Sequence, residues 1–106
     1  MKTTQHKISR RHSIKTPLMV NASEMHKQHP TTFGRPSPDR LAAVTAGSIV
    51  KVSDHEERFW VVVTGRNGEF LTGTVDNHLV FSRLKCGDEI QFHTDNIYQI
   101  FQGVTA

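Results

Sequence analysis

The hydrophobic pattern changes character near Ile49. From there to Gly103 the apolar residues alternate, or cluster in short runs broken by Gly, Asn and Asp, as in strands joined by tight turns. Residues 49–52 read as a strand, followed by a polar, acidic loop at 53–57. Residues 58–64, Arg-Phe-Trp-Val-Val-Val-Thr, are apolar on both faces and rich in β-branched and aromatic side chains, which predicts a central buried strand. Residues 65–68 fit a hairpin turn, because Asn-Gly takes the positive φ angles of such turns, and 69–75 pairs back. Gly73 inside that strand marks a bulge or a sharp bend. Asp76 and Asn77 bend the chain into another apolar stretch at 78–81. After a turn at 84–88, residues 89–94 place Ile90 and Phe92 on one side and Gln91 and His93 on the other. Asp95 and Asn96 cap a last helical turn or strand at 97–101. Five short β segments joined by tight turns point to a mostly β fold. The expected form is a small, partly open antiparallel barrel, SH3-like or OB-like.

One internal echo bears on that reading. Residues 44–52 and 84–92 both run apolar, two residues, Gly, small polar, then a strand with matching apolar positions. They read as two equivalent leads into a strand.

Upstream of residue 36 neither period holds. Residues 1–16 alternate Lys, Arg, His, Thr and Ser, with too little apolar surface to offset the entropy of ordering them. Residues 17–35 add scattered apolar side chains and allow a helical turn near 22–28, with Ser23 as its cap. At 36–44 the signals sharpen. Ser37 suits an N-cap, Pro38 the first helical position and Asp39 the positive end of the helix dipole. The result is one short helix whose Leu41 and Val44 plug an end of the barrel, with Gly47 as a stop. The expected organisation is a flexible basic arm, 1–35, and a barrel domain, 36–106.

Charge supports the same division. Residues 1–40 carry eight Lys or Arg against two acids, a net of +6, while 41–106 carry five against eight, a net of −3. The total of +3 therefore combines two oppositely charged halves, the pattern of a folded body with a basic arm. Lys2, Lys7, Arg10, Arg11 and Lys15 are the candidate contacts for nucleic acid or a protein partner. Three readings of the arm stand: a sequence-blind phosphate tether, a segment that docks on an acidic protein, or a solvated tail. Cys86 is the single cysteine, which fits a reducing, cytoplasmic compartment. No apolar run reaches the roughly 18 residues of a membrane span, and Arg10-Arg11 lacks the apolar segment of an export signal.

Candidate chemistry is sparse. Seven histidines raise the question of metal, and His26, His29 and His93 are the residues to consider. A zinc site wants three or four convergent ligands, usually with Cys or carboxylate among them, and Pro30 ends any helix at His29. Asp54, Glu56, Glu57, Asp76, Asp88 and Asp95 fall in loops or turns, where carboxylates ordinarily cap backbone N–H groups. No nucleophile elbow or phosphate-cradling loop is present. The expectation is no catalytic, cofactor or metal site. Among the aromatics, Phe59, Phe92 and Phe101 are expected in the core, whereas Trp60 and Tyr98 carry a polar atom suited to a surface groove.

Residues 29–33, Pro36-Ser37 with its helix, Gly47, and the 50–52 and 58–64 strands resemble a family of small bacterial β-barrel domains of unknown function. The likeness continues through 73–77 and 84–92 and ends near Tyr98, covering about residues 29–101. The Trp60 strand and the Leu84–Asp88 turn are its most specific parts. Cys86 stands where an aromatic is usual, and the loop before Arg58 is short. The resemblance implies the barrel architecture and brings no established activity. The chain is expected to be a non-catalytic binding module whose partner is another protein. The alternative is accessory nucleic-acid binding through the arm.

Overall fold

The computed structural model describes residues 13–31 and 34–102. Five strands form one antiparallel sheet: β1 (Ile49–Ser53), β2 (Arg58–Asn67), β3 (Phe70–Val75), β4 (Glu89–His93) and β5 (Gln99–Ile100). Their order is β4-β3-β2-β1-β5, and no ladder among the described residues joins β4 to β5, so the sheet is open. Helix α1 spans Ala22–Gln28, helix α2 spans Pro38–Ala42, and a 3-10 turn, Thr94–Asn96, precedes β5.

Alternation dictates the sheet. In β2, Phe59, Val61 and Val63 face the core while Arg58, Trp60 and Val62 face out. Register carries this parity across: Val50 and Val75 both sit opposite Val61, and Leu71 opposite Phe92. Leu41, within α2, and Val44, just after it, are buried in the core cluster. Ser37 Oγ accepts the Arg40 N–H at 3.3 Å. At the other end of α2, Arg66 Nη1 donates to the carbonyls of Leu41 at 2.8 Å and Val44 at 2.9 Å. One side chain thus satisfies carbonyls that a helix C-terminus leaves unpaired.

The two echoed segments are equivalent in hydrogen bonds as well as sequence. Gly47 and Gly87 have φ of +97° and +95°. Each donates its N–H at 2.8 Å to a core strand, Gly47 to Val63 O and Gly87 to Val75 O. Ser48 and Asp88 then bond back to Thr45 and Lys85, and accept from those same residues' N–H groups through their side chains. Two copies of one turn thus launch β1 and β4.

Several expectations shift. The β2–β3 hairpin does not turn at 65–68; β2 continues to Asn67 and reverses through Gly68 and Glu69. The bulge lies on β2, where register slips between Val63 and Gly65, not at Gly73. Gly73 is instead a close approach, since a Cβ there would lie 2.4 Å from Val61 Cγ1. Residues 78–81 are not a strand. Asn21, rather than Ser23, caps α1 by accepting from Glu24 N at 2.9 Å. Phe101 is 55% exposed rather than buried.

The part of the chain assigned to a flexible arm meets the sheet earlier than residue 36. Lys15 forms a parallel bridge to Ile90 on the β4 edge, Val20 N donates to Ser53 O at 2.9 Å, and Met19 packs against the core. Ala22 of α1 is fully buried. These scattered apolar residues have no period because they bridge from one strand edge to the end of another, rather than lying along one face.

Candidate functional site

Beside β5, which ends the sheet order among the described residues, is an open cleft of about 450 Å³ whose wall includes Arg35, Arg40, Lys51, Arg58, Tyr98 and Ile100. Its four cations come from four places: the segment before α2, α2 itself, β1 and the start of β2. No Asp or Glu lines it. Two of the four cations, Lys51 and Arg58, come from residues 41–106, the net acidic part of the chain, and the other two from the basic part before it.

Two of the cations are positioned by aromatic rings. The Arg58 guanidinium lies 4.7 Å from the Tyr98 ring centroid, and Lys51 Nζ lies 4.9 Å from that of Trp60. Strand parity explains the second pair, since Lys51 is opposite Trp60 on the outer face. Phe101 packs its ring against Trp60 at 82° and 6.0 Å, edge to face. Such contacts hold a cation over the ring's negative face.

Arg35 is fixed from behind. Its Nη1 donates to Ser23 Oγ, and Ser23 donates in turn to Asp95 Oδ1 at 2.8 Å. Its Nε is buried with no acceptor among the described residues.

Of the residues expected from sequence, Tyr98 is in the cleft wall, and Trp60 stands next to it through Lys51 and Phe101. Lys15 is at the opposite edge of the sheet, ion-paired with Asp88 at 2.9 Å. Lys2, Lys7, Arg10 and Arg11 lie outside the described residues. Arg35, Arg40, Lys51 and Arg58 were not legible as a site, because they enter the sequence only as scattered charges. The usable signal was the i, i+2 spacing of Arg58 and Trp60, which puts both on one strand face.

The acids hold turns. Glu57 accepts the N–H groups of Phe81, Ser82 and Val80 at 2.6, 3.0 and 2.9 Å. The Phe81 bond leads in lowering the Glu57 pKa below its ordinary 4.5, with Ser82 and Val80 adding to it. Asp88 is raised by partial burial, but its bonds to Lys15 and Lys85 and their charges outweigh this and lower it. His93 Nδ1 accepts the Asp95 N–H at 3.0 Å, so this nitrogen serves as a cap. His29 terminates α1 through its N–H to Met25 O, and His26 lies in the last turn of that helix. Among the described residues no group of three or more His, Cys, Asp or Glu is arranged to hold a metal, and no helix is long and apolar enough to cross a membrane.

Comparison with family models, with curated proteins and with solved structures finds no match to this chain.

Proposed function

We propose that this chain is a non-catalytic binding module whose cleft beside β5 takes an acidic segment of a partner protein. The observation that carries this reading is the four-cation wall, free of carboxylates, with two of its charges held in place by Tyr98 and Trp60. A protein ligand fits better than nucleic acid here. Base stacking needs open ring faces, and each of these rings already carries a cation on one face. The acidic remainder of the domain also repels a long polyanion while tolerating a short acidic peptide.

The SH3-like form of the barrel belongs to the same proposal, supported by the strand order and the 3-10 turn before the last strand. So do kinship with the small bacterial domain family and a cytoplasmic location, the latter resting on the exposed, unpaired Cys86. Nucleic-acid binding through Lys2, Lys7, Arg10 and Arg11 is the second reading, favoured by the +6 net charge of residues 1–40.

The test is fluorescence anisotropy with a labelled glutamate-rich peptide and a labelled oligonucleotide. Replacing Arg35, Arg40 and Arg58 with Gln removes three contacts worth about 0.5–1 kcal/mol each. Peptide affinity should therefore fall about ten- to a hundredfold, and the remaining binding, with Lys51 alone left in the wall, should depend less steeply on salt. Peptide affinity unchanged in the triple variant contradicts the proposal. Oligonucleotide binding that survives in the variant and vanishes on removal of residues 1–12 favours the second reading.

A further inference from the structure

We infer that the acidic segment binds as an added strand along the outer edge of β5; this rests on the cleft being the binding site proposed above. The cleft runs along that strand, since Tyr98, Gln99, Ile100 and Gln102 all line it. β5 is the last strand in the sheet order and pairs only with β1 among the described residues. The far edge of the sheet is different. There the chain supplies its own partner, with Lys15 N donating to Glu89 O at 2.9 Å and Gln91 N to Lys15 O at 2.8 Å. One edge is covered from within, and the other opens into a basic cleft.

Backbone parity puts the needed groups on the open side. Phe101 N donates to Ile49 O at 2.8 Å, and Ile100 sits opposite Val50. Ile100 therefore takes the intervening position of an antiparallel ladder, whose N–H and C=O point away from the partner strand. An extended peptide lying there gains main-chain hydrogen bonds for affinity and alternating side-chain positions for specificity. Side chains on the outer face of that added strand run beside Gln99 toward Lys51 and Arg58, which favours acids. The alternate set lies beside Ile100 and Pro36, which favours small apolar groups. The ligand class is thus an extended segment that alternates acidic and β-branched residues. Exposed edges of this kind invite strand pairing, and the surrounding cations select which strand pairs.

Three short synthetic peptides of alternating Glu and Val test this on the full chain. One is unmodified, one is N-methylated on every Val and one on every Glu. Only alternate N–H groups of an added strand face β5, so one methylated peptide should lose at least tenfold in affinity while the other keeps it. Amide exchange at Ile100 should slow at least tenfold on saturation with the unmodified peptide. Equal affinity of all three peptides with unchanged exchange at Ile100 overturns strand addition and leaves anion binding intact. Failure of all three to bind overturns both. A concentration-dependent dimer in which exchange at Ile100 is already slowed without peptide, and which the peptide does not displace, assigns the edge to a second copy of this chain and overturns the inference as well.

Discussion

Gly73 and Val61 meet across the β2–β3 ladder, and their contact sets what either position tolerates. A Cβ at residue 73 would lie 2.4 Å from Val61 Cγ1 and 2.8 Å from Val62 O, the second of which is backbone and cannot turn aside. Gly73→Ala should therefore cost about 1–3 kcal/mol, as overpacking does, measured as a lowered urea midpoint with unchanged slope. Val61 is fully buried whereas Val62 is half-buried on the outer face. An unpaired buried carboxylate costs several of the roughly 5–15 kcal/mol that hold such a domain folded. Val61→Asp should thus unfold the protein by circular dichroism, and Val62→Asp should leave it folded. Equal tolerance of both would mean the strand faces are misassigned. At this scale strand parity was readable from residues 58–64, and the burial of Phe59 and Phe92 followed from it. Phe101 was not readable, since a lone aromatic after β5 packs on Trp60 from outside as well as it would from within.

The loop from His78 to Arg83 shows how an element can contradict its own composition. Val80 and Phe81 suit a strand, yet they are 77% and 74% exposed. The Glu57 carboxylate supplies the acceptors that a neighbouring strand would otherwise give, and Ser82 Oγ bonds to Asp54 as well. A partner located 24 residues away in sequence leaves no local trace. Because the folded-state pKa of Glu57 is lowered, its stabilising contribution is complete above the ordinary value of 4.5 and is lost as pH falls through the lowered value. The amide resonances of Val80, Phe81 and Ser82 should move together in that acidic range, and Glu57→Gln should abolish the transition. Resonances that titrate unchanged in the Gln variant would assign the effect to another carboxylate. The duplicated turn is the opposite case. Its apolar-x-x-Gly-polar pattern was legible at 44–52 and 84–92 because the bonds that close the turn, Ser48 with Thr45 and Asp88 with Lys85, are local, and the positive φ at Gly47 and Gly87 requires that residue.

For the molecule as a whole, the division into a basic half and an acidic half was legible in composition, but the site was not. The cations that matter, Arg35, Arg40, Lys51 and Arg58, straddle the division and converge only once β1, β2, β5 and the segment before α2 are assembled. The same assembly recruits residues 15–20. Removing residues 1–20 deletes the Lys15 bridge, the Val20–Ser53 bond and the Met19 packing. At about 0.5–1.5 kcal/mol per hydrogen bond and about 1–2 for a partly buried methionine, the melting temperature should drop on the order of 10 °C. A truncated chain that melts with the full-length protein would show that this segment contributes nothing to the fold. The central claim, that the cleft beside β5 is where this protein meets its partner, is tested most directly by ¹H–¹⁵N spectra recorded during titration with a glutamate-rich peptide. The backbone shifts should concentrate at Arg35, Lys51, Arg58 and residues 98–102, while 78–83 and the β4 edge stay still. Shifts confined to the Val80–Phe81 loop or to Lys15 and β4 would contradict it.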